Sequence, residues 1–297
     1  MTRKITRLSK SPIYFIFFGF GFFEFIQLKS QNNFNFGKEI EFISHLQDNS
    51  EFKNSIYLGS KIDTVNLSQL QKDSLNYYLG WAFYNLRSLD TSVIYLEKIS
   101  PKSAFYTKSI FYTANNYSYV KKYKEALGVF SAPLDTTFRQ LSYLQMGGIN
   151  LLKRNYKSFD SISRLFDYSN FNVASEQKEM LMYENKLKSF KKKSPVVAGL
   201  LSTVVPGLGK FYAGKKGQSL STAAACFITG LVAAETFYRG GPTSPQFIVT
   251  STIFGFFYLG NIWGSVISVK LYKQSFNNKT DNEIRVSIHL PLRRIFN

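Results

Sequence analysis

The chain has 297 residues and a formal net charge of +18, from 37 lysines and arginines against 19 aspartates and glutamates. This length allows two modest domains. The single cysteine, Cys226, excludes a disulfide within one chain and any metal site built from cysteines. The two histidines, His45 and His289, lie far apart without clustered carboxylates, so the sequence predicts no metal and no cofactor.

The positive charge is spread over the whole chain. A nucleic-acid-binding protein would usually gather its basic residues in one run or on one face. Basic residues beside apolar segments instead favour contact with membrane lipid, particularly anionic lipid, and a defined membrane topology. We therefore expect no nucleic-acid partner.

Residues 1–30 have the pattern of a secretory signal peptide. Four basic residues precede an unbroken apolar run at 13–23, which is too short to cross a bilayer comfortably but suits a signal-peptide core. Cleavage after Ser30 fits this pattern, while Glu24 and Lys29 make the site imperfect and leave an uncleaved anchor as the alternative. In both cases the residues that follow are expected outside the inner membrane.

Residues 31–193 are predicted to form a series of helices. Proline is scarce in this segment, and small residues recur at a spacing of 34, at Gly80, Ala114 and Gly148. A second set of positions keeps the same spacing until the third copy, which is shifted by one residue. A repeat of this length predicts helix pairs that stack and share one continuous core.

The alternation of small and aromatic residues resembles the tetratricopeptide repeat, most closely in residues 114–130. The resemblance implies an all-α, right-handed solenoid of antiparallel helix pairs. In such a stack Gly80, Ala114 and Gly148 would occupy equivalent positions of close helix contact, and Phe130 would be buried.

A stack of this kind has a groove that suits an extended or helical peptide. Polar and aromatic residues on the inner helices are the natural contacts for such a partner. We expect Asn115, Asn116 and Tyr117 to be partner-binding residues.

Residues 194–273 are predicted to form a membrane domain. The segments 218–238 and 246–269 are apolar, with Glu235 as the only charged residue in either. At about 1.5 Å per residue, each can cross a hydrocarbon core of roughly 30 Å. The short turn between them, rich in glycine and proline, makes the two segments a transmembrane hairpin.

Residues 195–213 leave the number of crossings open at two or three. This apolar stretch is interrupted by proline and glycine at 206–209, so it is a kinked third crossing, a re-entrant piece or an interfacial helix. Two crossings with cytoplasmic repeats would best match the lysines at 186–193 and the positive-inside trend. That orientation contradicts the export signal, which we take as decisive.

The stretch 206–214 reads PGLGKFYAG. It resembles the first signature of small hairpin membrane domains, PGLG-x-[FI]-Y-x-G, and FYLGNIWG at 257–264 resembles their second signature. Such domains follow tetratricopeptide-like regions in uncharacterised bacterial envelope proteins, so the resemblance implies an architecture without a known activity. A phosphate-binding loop is not predicted at 209–216, because Lys216 stands where a hydroxyl group is needed to bind Mg²⁺.

Small residues recur at four-residue spacing on both apolar helices: Cys226, Gly230 and Ala234 on the first, and Gly260, Gly264 and Ser268 on the second. Small residues let helix backbones approach closely in a bilayer. We expect these two helix-packing faces to lie against each other within the hairpin, with Asn261 placed to form a hydrogen bond across it.

Residues 274–297 are predicted to form a polar C-terminal tail. Within it, residues 284–292 alternate apolar and polar side chains, which indicates a short strand.

No spacing of nucleophile, base and orienting residue is visible, so we expect no enzyme. The sequence instead predicts a membrane-anchored scaffold at the bacterial inner membrane, whose repeats face the periplasm and bind a protein or peptide partner. Two alternatives remain. One is a subunit of a membrane transport or membrane-protein assembly machine in which the hairpin is the working part. The other is an envelope enzyme with an unrecognised site.

Overall fold

A computed structural model describes residues 35–296, and the predicted signal peptide lies outside them. Within these residues the fold has thirteen α-helices, two 3₁₀ helices and no strand, which confirms the all-α prediction. The α-helices are α1 (Phe36–Asp48), α2 (Phe52–Lys61), α3 (Gln69–Asn85), α4 (Leu89–Leu96), α5 (Tyr106–Tyr119), α6 (Tyr123–Gly128), α7 (Arg139–Leu152), α8 (Tyr156–Ser163), α9 (Ala174–Lys188), α10 (Pro195–Val204), α11 (Leu208–Tyr212), α12 (Lys216–Gly240) and α13 (Pro245–Phe296). The 3₁₀ helices are Val129–Ser131 and Thr136–Phe138.

Helices α3 to α8 form three successive pairs joined by the same turn. In each turn one residue has a left-handed backbone, at Arg87 (φ 62°), Lys121 (φ 65°) and Arg154 (φ 62°). The next backbone amide donates to the carbonyl five residues earlier, which closes the end of the first helix of the pair. The turns are 34 and 33 residues apart, as the repeat and its one-residue shift predict. The tetratricopeptide assignment of these pairs stays a prediction.

The three predicted contact positions are not equivalent. A Cβ at Gly80 would lie 2.7 Å from Leu96 in the partner helix α4, whereas a Cβ at Gly148 would lie 2.3 Å from Ile288 in α13. In the third pair Gly147 faces the partner helix α8 instead, because a Cβ at Gly147 would lie 3.5 Å from the Phe159 ring. The prediction for Gly148 was therefore wrong, because the shift of one residue moves its role within the pair to Gly147.

Phe130 is half-buried, contrary to the prediction that it is part of the core. Helix α6 ends at Gly128, so Phe130 falls in the following 3₁₀ helix rather than on an α-helical core face. Its ring packs edge-on against Phe111, with 5.5 Å between the ring centres.

The C-terminal tail is helical, so the predicted strand at 284–292 was wrong. Helix α13 continues without interruption from the membrane hairpin to Phe296. The alternating pattern also places Ile284, Ile288 and Leu292 at four-residue spacing, and all three are fully buried. Val286 and Leu290, between them, are 52% and 51% exposed. One buried stripe of this period is what an amphipathic helix requires.

Helices α12 and α13 are long and apolar enough to cross a membrane, by length and composition. They pack against each other as an antiparallel hairpin and carry exposed large side chains such as Leu220, Phe256 and Trp263, 72–75% exposed. An apolar surface of this kind is expected where helices face lipid.

Helix α10 has 10 residues, and the chain folds back after it. The Lys193 ammonium donates to the Tyr212 carbonyl at 2.6 Å, and the Ser194 amide donates to the Tyr212 hydroxyl at 3.1 Å. The end of α11 therefore lies beside the start of α10, and these two helices do not add a crossing. This geometry favours the two-crossing alternative.

Candidate functional site

The groove along the inner helices of the described domain is occupied by the chain's own C-terminal segment. Residues 274–296 of α13 lie against α5, α7 and α9. The absence of a side chain at Gly148 lets α13 approach α7 closely, and Ile288 fills that space. The Gln145 amide donates a hydrogen bond to the Ile288 carbonyl from the same face of α7. The groove that α5, α7 and α9 form therefore holds a helix of the same chain.

Three ion pairs fix the register of this segment. Arg154 pairs with Asp281 at 2.7 Å, and Lys186 pairs with Glu283. Further along, Arg294 pairs with Glu176 at 2.9 Å, and the Glu176 side chain is only 8% exposed. Partly exposed ion pairs contribute little stability individually, but three along one helix disfavour a shifted alignment. One of the basic partners, Arg154, is also the left-handed turn residue of the third helix pair.

Polar contacts add to the docking at its centre. The Tyr183 and Ser287 hydroxyls lie 3.1 Å apart, and the Tyr84 hydroxyl lies 3.2 Å from the His289 ring. Burial lowers the pKa of His289, and nearby Arg293 and Arg87 lower it further. Histidine is therefore neutral in this contact near neutral pH, and its ring nitrogen can accept from the tyrosine.

Aromatic rings enclose both ends of the docked segment. Phe296 packs against Phe111 and Phe138, with ring centres 5.6 and 5.4 Å away, and its carbonyl accepts a 2.8 Å hydrogen bond from Lys108. At the membrane end, Phe276 stacks on Phe190 with 4.0 Å between ring centres. The helix is thus anchored along its whole length.

Two of the three predicted partner-binding residues are buried, and the third, Tyr117, is partly exposed. Asn115 and Asn116 are fully buried, and the Asn116 amide donates to the Ser92 hydroxyl at 3.0 Å inside the stack. Tyr117 donates to the Glu97 carboxylate at 2.7 Å. Their part in partner binding stays a prediction, while the Asn116 and Tyr117 side chains connect α5 to α4 and to Glu97 just after it.

A second polar site lies within the apolar helices, at the turn between α10 and α11. Gly207 has a left-handed backbone (φ 88°), its amide donates to the Asn261 side chain at 2.8 Å, and its carbonyl accepts from Ser219 at 2.8 Å. The Asn261 side-chain nitrogen in turn donates to the Ser202 carbonyl at 3.0 Å. Backbone groups in lipid need partners within the protein, and α12 and α13 supply them here.

The second glycine of this turn allows the closest approach. A Cβ at Gly209 would lie 2.0 Å from the Ala198 carbonyl oxygen, and the Gly209 amide donates to the Ser202 hydroxyl at 2.9 Å. Ser202 also lies 2.7 Å from the Ser265 hydroxyl, which extends the network to α13. The glycines of the sequence signature therefore have a structural role: they form the turn between α10 and α11, which side chains of α10, α12 and α13 hold in place.

On α12, the predicted packing residues are only partly at the interface. Cys226 is buried with its sulfur 3.6 Å from the Phe257 carbonyl, and a Cβ at Gly230 would lie 3.2 Å from the Phe254 ring. Ala234 is exposed, and its neighbour Ala233 is buried instead.

On α13, the predicted face does not lie against α12. A Cβ at Gly260 would have no neighbouring atom within 4 Å, and one at Gly264 would lie 3.2 Å from Lys210 of α11. Ser268 is buried and donates to the Gly264 carbonyl of its own helix. The predicted pairing of the two faces was therefore wrong, because aromatic residues of α13 fill the hairpin interface.

Lys210 projects into a cleft of about 460 Å³ between α12 and α13. Its ammonium donates to the Thr222 hydroxyl at 2.7 Å. Ser221 and Asn261 are the other polar residues of the lining, and Ala225, Phe256, Phe257 and Gly260 complete it.

No protein-family model, no curated protein and no solved structure matches the chain. Across residues 35–296, no group of three or more histidine, cysteine, aspartate or glutamate side chains is arranged to hold a metal ion. The contacts that distinguish this part of the chain are a docked helix and a polar network in apolar surroundings.

We predict that Gly207→Ala destabilises the membrane domain by about 2 kcal/mol or more, since alanine would need a left-handed backbone and its Cβ would lie 2.4 Å from the Ser219 carbonyl oxygen. Gly217→Ala is the matched control, because a Cβ there has open space in a helix. The control should lose no stability and gain up to roughly 1 kcal/mol. Denaturant unfolding in detergent measures both, and equal effects would contradict this role of Gly207.

Proposed function

We propose that this protein is a non-enzymatic scaffold, anchored in a bacterial inner membrane by the α12–α13 hairpin, that binds a protein or peptide partner through its helical domain. The observation that carries the proposal is the docked segment 274–296. A groove that binds a helix of its own chain has the shape and contacts to bind a helix of a partner. The chain's own helix then acts as a competitor that must leave first.

The continuous helix α13 supports the scaffold part of the proposal. Its first half belongs to the hairpin and its second half fills the groove, so until a partner displaces it the helical domain has a fixed attachment to the membrane anchor. A flexible linker would let the domain tumble, whereas a continuous helix holds its surfaces at one distance from the bilayer.

The orientation rests on two opposing signals. Lys193, Lys215, Lys216 and Lys270 lie near the helical-domain ends of the membrane helices, whereas on the far side Arg239 is paired with Glu235 at 2.6 Å. This charge bias favours a cytoplasmic domain. The N-terminal export signal favours the periplasm, and we propose the periplasmic orientation because that signal acts before the hairpin is made.

Two single cysteines in a Cys226→Ser background test the orientation. Lys124→Cys lies on an exposed surface of the helical domain, and Thr243→Cys lies on the exposed turn at the other end of the hairpin. In intact spheroplasts, an impermeant maleimide should label Lys124→Cys at once and Thr243→Cys only after lysis. The reverse pattern would place the domain in the cytoplasm, and labelling of both without lysis would contradict a membrane-spanning hairpin.

A photo-crosslinking residue in the groove tests partner binding. The guanidinium carbon of Arg285, on the docked helix, lies 5.4 Å from the centre of the Tyr119 ring. Benzoylphenylalanine in place of Tyr119 should therefore crosslink mainly within the chain. Adding Ile288→Asp buries a charge in the groove and should release the helix, which exposes position 119 to a partner. We predict at least a severalfold rise in one intermolecular adduct of defined mass in cells.

The same photo-crosslinker at Tyr57, which is 67% exposed on α2, is the matched control and should give no such adduct. Circular dichroism must show that the Ile288→Asp protein keeps its helices. Purely intramolecular adducts in the released variant, or equal adducts at both positions, would contradict partner binding in the groove.

A membrane transport or assembly role is the second candidate. The observation in its favour is the polar network of Ser202, Asn261 and Ser265 around a broken helix. Polar groups buried among apolar helices are costly unless they position a structure or a substrate. In this candidate the hairpin is the working part and the helical domain receives the cargo.

A further inference from the structure

We propose that the cleft at Lys210 binds the phosphate group of an acidic phospholipid. The first observation is an uncompensated charge. The Lys210 ammonium is partly buried and has a hydroxyl partner, Thr222, but among the described residues no carboxylate lies within 4.0 Å of it. A cation in apolar surroundings is stabilised by an anion, and here the protein does not supply one.

The nearest acidic residue along the membrane helices is too far from Lys210 to act as its counter-ion. In residues 194–273 the only carboxylate is that of Glu235. It lies 13 positions beyond Thr222 on α12, which is about 20 Å along a helix. Glu235 is also paired with Arg239. The counter-ion of Lys210 must therefore come from outside this domain.

The polar end of the cleft lies near the start of α12 and its apolar end lies deeper along the helices, which matches the headgroup and acyl chain of a phospholipid. Thr222 is about 9 Å from the start of α12, and Ala225 lies almost one turn deeper. On α13, which runs the other way, Phe257 and Phe256 lie deeper than Gly260. A phosphate at Lys210 would thus place its acyl chain along the aromatic wall, towards the bilayer centre.

The surroundings favour a lipid over free phosphate. One wall of the cleft is Phe256, which is 75% exposed on the apolar surface of the hairpin. Lys215 and Lys216 follow at the same end and raise the local positive potential, which attracts anionic headgroups. The occupant that reaches this position by diffusion within the bilayer is a lipid. The inference rests on membrane insertion of the hairpin and on neither the partner nor the orientation proposed above.

Native mass spectrometry of the full chain in detergent tests the site with two lipids, dioleoyl phosphatidylglycerol and dioleoyl phosphatidylcholine. The wild type should retain phosphatidylglycerol in preference. Lys210→Met keeps the apolar stem but removes the charge, and should weaken phosphatidylglycerol binding by roughly fivefold, the factor expected for one lysine near the membrane surface. Binding of phosphatidylcholine should not change.

Two glycines of α13 supply a test that leaves every charge in place. Gly260 lines the cleft and Gly255 does not, and a Cβ at either has open space. Gly260→Leu should fill the cleft and lower phosphatidylglycerol binding as far as Lys210→Met does, while Gly255→Leu should bind like the wild type. Both substitutions favour the helix, so loss of folding does not explain a difference.

Equal retention of both lipids by the wild type, or equal binding by the two leucine variants, would overturn the proposed site while leaving the membrane anchor intact. Retention of neither lipid would overturn the site together with the anchor. Displacement of phosphatidylglycerol by sodium phosphate alone would show a free-anion site and would also overturn the proposal.

Discussion

The close approach of α13 to α7 at Gly148 is the contact on which the rest of the structure depends. A Cβ at this position would lie 2.3 Å from the Ile288 side chain, so any other residue would push the helices apart. Ile284, Ile288 and Leu292 then close the core of the helical domain from its open side. A stack of helix pairs that lacked this segment would expose the apolar surface that these three residues cover.

This contact also constrains the membrane topology. The domain precedes the hairpin in sequence, and the end of α13 returns to that domain, so the chain must cross a bilayer an even number of times. The turn at Gly207 is compatible with this constraint because it sends the chain back beside Ser194, and α12 and α13 are then the two helices long and apolar enough to cross. In such a topology the lysines at the start of α12 and after the apolar part of α13 would lie on the same side as the helical domain.

The sequence predicted the parts that depend on local pattern: the helices, the spacing of the pairs, the two apolar spans and the glycine turn. It did not predict that the tail is a docked helix, because alternating apolar residues at 284–292 fit both a strand and one buried stripe of a helix. The groove that favours the helix is built from residues far away in the sequence. The roles of Gly148 and Gly260 were missed for the same reason. A small residue in a sequence is consistent with close helix approach or with open space, and the sequence does not show what lies beside it. In the structure Gly148 faces Ile288, and Gly260 lines the Lys210 cleft.

Disulfide trapping tests the docking of α13 most directly. A Cβ at Gly148 would lie 3.7 Å from that of Ile288, within the range of about 3.5–4.5 Å that a disulfide requires. The pair Gly148→Cys and Ile288→Cys, in a Cys226→Ser background, should oxidise almost completely within one chain, as measured by peptide mass spectrometry of the purified protein. The control pair Gly148→Cys and Val286→Cys should stay reduced, since Val286 lies on the exposed side of the helix. Failure of the first pair to form a bond, or equal oxidation of both pairs, would contradict a groove filled by the chain's own helix.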